Sequence, residues 1–358
     1  MLLSPSAFGF EASVNPHVDP SLNLGGCRSC HQGHGQSGSP MLPSAQRETC
    51  FNCHGSRAQI QGMVARGLLS GTARPTQLDT TFDLPYTHPI TIEAYSRRET
   101  GAVTCTSCHA PHRGSQRGPG SAEPTGERRL SPRNPNRFEF ELCQDCHGSG
   151  GASTQDLTDI SRLFVPENRS FHPVQAPSAD SSPSVIPELA GREINCTDCH
   201  GNSNPTGPRG PHGSVVPFML RKNYSTVDGA QESPSTYALC YTCHRRESVL
   251  DSRVFPEHGK HIVDEDASCA TCHNPHGAVT NRALIRFGEE VFVAGVSPSL
   301  RTGRLEFISD GPGSGACYLT CHGEDHSPEA YGSMKLLLEV APPRIRAPGG
   351  RVSPDRVQ

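Results

Sequence analysis

One five-residue pattern, repeated along most of the chain, constrains this protein more than any other feature. Cys-x-x-Cys-His occurs seven times: Cys27/Cys30/His31, Cys50/Cys53/His54, Cys105/Cys108/His109, Cys143/Cys146/His147, Cys196/Cys199/His200, Cys240/Cys243/His244 and Cys269/Cys272/His273. An eighth pair, Cys317-Tyr-Leu-Thr-Cys321-His322, has one extra residue between its cysteines. Together they use all 16 cysteines. Positions i, i+3 and i+4 share one face of a helical turn. Two thiols there can bond the two vinyl groups of one porphyrin while the histidine turns to the iron, the c-type haem attachment arrangement. The pattern predicts eight covalently attached haem c groups, a proximal histidine for each iron, and a short helix at each motif. At the eighth motif the extra residue moves His322 to i+5, so a distorted turn is expected there. Structural zinc also uses paired cysteines, but it needs no histidine directly after the second one. A disulfide framework leaves all eight histidines unexplained, and a thioredoxin-like motif comes singly on a βαβ unit.

The composition fits a chain built around cofactors. Of 358 residues only 34% are hydrophobic, there is no Trp, and Gly and Pro number 36 and 32. So few apolar side chains cannot by themselves offset the ordering entropy of a chain this long. The expected fold is mostly irregular coil with short α-helices at the haem motifs and little β-structure. It would be an elongated array whose core is the stack of porphyrins. Gly114–Gly126, Gln175–Pro187 and Gly201–Gly213 read as loops, Gln59–Leu69 and Met334–Val340 as further helices, and Ala283–Phe287 and Val291–Val293 as weak strands. Net charge is −4, with Arg far outnumbering Lys222, Lys260 and Lys335. That balance carries no nucleic-acid footprint, and arginine is suited to haem propionates. No apolar run is long enough for a membrane span. The segment Met1–Phe10 lacks the basic region of a secretory signal. Export, to the periplasm or the cell surface and beyond, is therefore argued from chemistry: haem attachment of this kind is completed outside the cytoplasm, and thiol pairs at this density are unusual in a reducing cytosol unless metal-bound.

Ten histidines remain beyond the eight in the motifs. A six-coordinate haem needs a second axial ligand, and histidine is a common one. The chain reads as four tandem repeats, each with an upstream histidine, a first motif, a histidine after it, and a second motif. The expected second ligands are His17 and His34 in repeat 1 (1–70), His88 and His112 in repeat 2 (71–155), His172 and His212 in repeat 3 (156–250), and His261 and His276 in repeat 4 (251–330). His258 and His326 stand in reserve. The segment 331–358 reads as a basic, proline-rich, disordered tail. Met41, Met63, Met219 and Met334 recur at no fixed offset from the motifs and make poor candidates.

From about His17 to His322 the chain resembles the doubled-CXXCH multihaem cytochromes. The likeness is clearest in Cys105-Thr-Ser-Cys108-His109-Ala-Pro-His112 and Cys269-Ala-Thr-Cys272-His273-Asn-Pro-His276. Repeat 3 departs, with His212 twelve residues past His200. The resemblance implies bis-histidine, low-spin haems stacked in a chain that moves electrons across or beyond a bacterial envelope. Its partners would be redox proteins or further copies of the chain in a filament, with peripheral attachment to outer-membrane components. The rival reading is an octahaem oxidoreductase acting on nitrite, hydroxylamine or tetrathionate. It requires one haem with an open coordination position, whereas every motif here keeps its histidine and the spare histidines suffice for every iron.

Overall fold

The computed structural model describes residues 15–34, 41–90, 103–109, 111–112, 138–148, 159–177, 182–251, 255–289 and 293–340. The chain divides into two compact units, Met1–Arg286 and Phe287–Gln358. The boundary falls inside repeat 4, so its first motif belongs to the larger unit and its second motif to the smaller.

The larger unit is short helices joined by irregular chain. Its helices are α1 (Gln46–His54), α2 (Arg57–Ala65), α3 (Cys105–Cys108), α4 (Glu139–His147), α5 (Cys196–Cys199), α6 (Arg246–Leu250) and α7 (Cys269–Cys272). The expected Gln59–Leu69 helix is α2, started two residues earlier by a capping box. There the Ser56 N–H donates to Gln59 Oε1 at 2.8 Å, and the Gln59 N–H donates to Ser56 Oγ at 3.4 Å.

First and second motifs of a repeat fold differently. The second motifs of repeats 1 and 2 end nine-residue helices, α1 and α4. The first motifs of repeats 2, 3 and 4 are single turns, α3, α5 and α7, each preceded by a residue of capping type: Thr104, Asn195 and Ser268. These turns stop at the second cysteine, and the histidine is already extended: φ −105° at His109, −92° at His200 and −110° at His273. Its N–H still donates to the first cysteine's carbonyl, at 2.8 Å for His109 and His200 and 2.9 Å for His273, so the motif closes as one unit. Cys27 and Cys240 lie in 3-10 turns, Gly26–Ser29 and Cys240–Thr242.

Two small antiparallel ribbons tie successive repeats together. β1 (Tyr86–Thr87) and β2 (Ser170–Phe171) pair with β3 (Gly213–Ser214) and β4 (Gly277–Ala278) respectively. Buried apolar side chains are few and dispersed, among them Phe51, Met63, Leu163, Phe171, Leu220 and Ile262.

The smaller unit departs from the expected shortage of β-structure. It holds β5 (Val296–Ser297), β6 (Glu306–Gly311), β7 (Ser314–Cys321) and β8 (Glu324–Tyr331), with β7 central, and α8 (Ser333–Val340) follows. Cys317 and Cys321 therefore lie on a strand and not on a helical turn. The Tyr-Leu-Thr between them favours extended backbone, and β6 and β8 pair with it on either side. His322 (φ +50°) and Gly323 (φ +84°) form the β7–β8 turn, where two positive φ values match the twist of a tight hairpin. Ala283–Phe287 is not a strand: Arg282–Leu284 is a 3-10 turn and Ile285 makes a single bridge to His273. Of Val291–Val293 only Val293 is described, bridged to Val296. The loop Gly114–Gly126, residues 178–181 of Gln175–Pro187, Met1–Phe10 and the tail beyond residue 340 lie outside the described residues.

Candidate functional site

Motifs from neighbouring repeats are clamped to each other by side chains placed four residues before a cysteine. Gln46, at the start of α1, accepts from the Thr106 N–H at 2.8 Å and donates to Thr106 Oγ1 at 3.0 Å. At the same place in α4, Glu139 accepts from the Thr197 N–H at 2.7 Å and from Thr197 Oγ1 at 3.0 Å. Each clamp locks the second motif of one repeat onto the first motif of the next. Glu139 is 2% exposed, so truncating it strands a buried donor. Glu139→Ala is expected to lower stability by about 1–3 kcal/mol, read by chemical denaturation of the holoprotein, with Glu139→Gln losing less.

These clamps bring the thiols of successive motifs together. Cys50 contacts Cys105, Cys143 contacts Cys196, and Cys240 contacts Cys269, each pair within hydrogen-bonding reach. Cys30 and Cys53, Cys108 and Cys146, and Cys199 and Cys243 lie close enough for their thiolates to repel. Burial pushes the Cys53 thiol up to about 11 and the Cys199 thiol up to about 12. The first seven motifs thus follow one another in space in the order of the sequence.

The histidines meet in pairs. A metal–imidazole bond is about 2 Å, so two imidazoles sharing one ion have ring centres roughly 6 Å apart. Among the described residues seven motif histidines each face a second histidine at such a spacing. Three pairs are close to parallel: His31 with His112 (5.7 Å, 20°), His109 with His212 (5.8 Å, 9°) and His200 with His276 (6.3 Å, 7°). Four are tilted: His54 with His17 (5.8 Å, 46°), His147 with His88 (6.3 Å, 50°), His244 with His172 (6.3 Å, 61°) and His273 with His258 (6.3 Å, 56°). The Nε2 atoms of His31 and His112 are 3.5 Å apart, pointed at each other as two ligands of one ion would be.

Two rules generate six of these seven pairs, all but His273 with His258. In repeats 1 to 3 the upstream histidine faces the second motif of its own repeat. The histidine after a first motif faces the first motif of the preceding repeat. The ribbons are the reason. Thr87 pairs with Gly213 and Phe171 with Gly277, which sets His88 beside His212 and His172 beside His276. His88 Nδ1 donates to the Pro211 carbonyl at 2.7 Å, and His172 Nδ1 donates to that of Pro275. In repeat 1 the Asn15 side chain donates to the Pro111 carbonyl at 2.9 Å, joining the His17 and His112 segments in the same way. Each junction therefore delivers both of the histidines that face the motifs of one repeat.

Gly213 and Gly277 make the ribbons possible. A Cβ at Gly213 would lie 2.1 Å from the Thr81 carbonyl oxygen, and at Gly277 1.9 Å from that of Leu163. Gly277→Ala must push the ribbon away and draw His276 off its partner. We expect one haem to turn high-spin by EPR while the other haems keep their low-spin signals.

Several motif histidines are also oriented from behind. His54 Nδ1 donates to the Thr76 carbonyl at 3.0 Å, His200 Nδ1 to Phe218 at 2.8 Å and His273 Nδ1 to Ala283 at 2.7 Å, while His244 Nδ1 bonds Ser184 Oγ at 2.7 Å. A proton held on Nδ1 leaves the Nε2 lone pair for metal. Phe218 and Ala283 present those carbonyls from left-handed backbone, φ 60° and 54°. Burial lowers the pKa values of His212, His244, His258 and His276 to about 4, which keeps these imidazoles in the neutral, ligating form.

The remaining candidates lie elsewhere. His258, held in reserve on sequence grounds, is the ring opposite His273, and His261 Nδ1 bonds the Glu257 carbonyl at 2.8 Å. His326 lies on β8 across from Leu319. His34 is exposed. Gln46, Glu139, Gly213, Gly277, Phe218 and Ala283 were not foreseen. The glycines follow a Pro-His in both copies, a signal visible in the sequence; the others act through contacts with no local mark.

Residues 102–283, about half of the chain, match the family described as outer membrane cytochrome MtrC/MtrF-like, domains II/IV. The chain belongs to that family. Residues 21–59 also match the doubled CXXCH motif. It is thus a multihaem c-type cytochrome, with haem c covalently bound at its CXXCH motifs. No curated protein and no solved structure matches it. Among the described residues of this cytochrome no three His, Cys, Asp or Glu side chains converge on a common metal position. No described helix is long and apolar enough to cross a membrane.

Proposed function

We propose that this cytochrome is an octahaem conduit, with two histidines on each iron, that passes electrons between partners outside the cytoplasm. Haem iron supplies the one-electron couple, and the chain supplies ligands, spacing and insulation. The observation that carries the reading is the unbroken run of motifs from Cys27 to His273, each adjoining the next at its cysteines and each with a second histidine opposite. Porphyrins attached there would meet edge to edge, so an electron entering at one end has a continuous path.

The proposed axial pairs are His31/His112, His54/His17, His109/His212, His147/His88, His200/His276, His244/His172 and His273/His258. His322 is the proximal ligand proposed for the eighth haem, with His326, in the same unit, as the histidine proposed to complete it. Cys317 and Cys321 are four residues apart on a strand, roughly 13 Å of extended chain. Seating one porphyrin there requires β7 to fold into a turn, and the register shift between Cys317 and Leu319 is the place where it can do so.

An all-histidine set leaves no iron open to a substrate, which favours a carrier over a nitrite, hydroxylamine or tetrathionate reductase. The family match to outer membrane cytochromes supports a place at the cell surface, with redox proteins, outer-membrane components or further copies of the chain as partners. Carbon monoxide gives the test. The dithionite-reduced holoprotein is expected to form no CO adduct in its visible spectrum, and a stoichiometric adduct in native protein would replace the conduit with an open-site enzyme.

A further inference from the structure

We propose that Glu139 sets reduction potentials: its carboxylate holds the fourth and fifth haems, at the Cys143–Cys196 junction, below the second and third, at the Cys50–Cys105 junction. The proposal rests on the reading of the chain as a haem conduit, and adds a step in energy along the path.

The two junctions are built alike and charged differently. Gln46 and Glu139 each stand four residues before a cysteine, at 5% and 2% exposure. Each grips the residue after the first cysteine of the next motif. Gln46 is neutral: it accepts from the Thr106 N–H and donates to Thr106 Oγ1. Glu139 accepts twice, from the Thr197 N–H and from the Thr197 hydroxyl. Hydrogen bonds donated to a carboxylate favour its charged form. Glu139 also lies close enough to Cys143 to repel its thiolate.

Neighbouring side chains act in the same direction. The fourth and fifth motifs carry an aspartate before the second cysteine, Asp145 and Asp198, where the second and third motifs carry Asn52 and Ser107. Asp198 repels the thiolates of Cys199 and Cys243. At the earlier junction Arg47 and Arg66 are near enough to act on Cys105 and Cys53. Arg221 donates to the Thr197 carbonyl at 3.4 Å, which offsets part of the Glu139 charge without reversing its effect. Oxidation leaves one more positive charge on an iron. A buried anion nearby stabilises that form, because its surroundings screen it weakly.

Spectroelectrochemical titration of the full-length holoprotein reads the step. Each haem takes one electron from the electrode, and no bond forms or breaks. In Glu139→Gln two haems should shift upward. Their reduced-to-oxidised ratio at a fixed potential should rise about tenfold, which is about 59 mV for a one-electron couple. Gln keeps an acceptor for the Thr197 N–H, as Gln46 does for Thr106, so the shift reports charge. Glu139→Asp keeps the charge with a shorter reach and should leave the pair low. Gln46→Glu, the reverse change, should move two other haems downward. In wild-type protein the pair that answers to Glu139 should titrate below the pair that answers to Gln46. An unchanged curve in Glu139→Gln, an equal upward shift in Glu139→Asp, or the opposite order of the two pairs would overturn the proposal. Failure of the conduit reading appears separately, as a CO adduct of the wild-type protein.

Discussion

Intact mass spectrometry of the purified holoprotein is expected to give the mass of the polypeptide plus eight haems. Seven of these rest on Cys-x-x-Cys-His motifs that fold as compact turns, with the histidine N–H of α3, α5 and α7 bonded back to the first cysteine. The eighth rests on Cys317 and Cys321, where the folded chain offers a strand. Two structures compete for the same residues: a hairpin turned at His322-Gly323, and a haem-bearing turn. Covalent attachment is the stronger of the two, since two thioether bonds outweigh a few ladder hydrogen bonds, each worth about 0.5–1.5 kcal/mol net. The double variant Cys317→Ala, Cys321→Ala should then lose one haem and no more. A wild-type mass with seven haems would mean that the hairpin prevails, and fewer than seven would defeat the assignment of the motifs.

The second large effect concerns spin state. His112→Ala and His276→Ala should each convert one haem from low-spin to high-spin. The double variant should convert two, because the affected pairs, His31/His112 and His200/His276, belong to different junctions and independent sites add. The chain should stay folded, since the His112 junction keeps its Gln46–Thr106 clamp and the His276 junction keeps the β2–β4 ribbon. In His276→Ala electron flow from end to end should fall far more than reduction of either end alone, because the His200 haem lies inside the series and a conduit is limited by its slowest step. Ferric EPR gives the first result and stopped-flow reduction the second. A variant that remained wholly low-spin would remove that histidine from the ligand set.

Much of this protein was legible in its residues. The sixteen cysteines, each pair followed by a histidine, are a covalent instruction: chemistry at spacings of three and four is fixed locally and needs no tertiary context. The poverty of apolar side chains likewise announces an interior built from something other than leucine and phenylalanine. The offset of the upstream and post-motif histidines disclosed the repeat. Which histidine meets which motif was not legible. It depends on ribbons that join residues more than a hundred positions apart, as Thr87 joins Gly213 and Phe171 joins Gly277. No local pattern says that His112 belongs to His31 or that His258 stands opposite His273.

The smaller unit shows the same limit from the other side. Cys317-Tyr-Leu-Thr-Cys321 reads as a widened haem motif in isolation, yet strands on both sides draw it into a sheet. Strand structure is settled by cross-strand partners and not by the segment alone. The sequence by itself therefore determined the chemistry, haem c at paired thiols with a histidine for each iron, because covalent and coordination spacing is a local property. Only the tertiary structure decided the order and pairing of the sites, because those follow from long-range contacts: a glycine that lets two backbones touch, and a carboxylate that reaches the next motif.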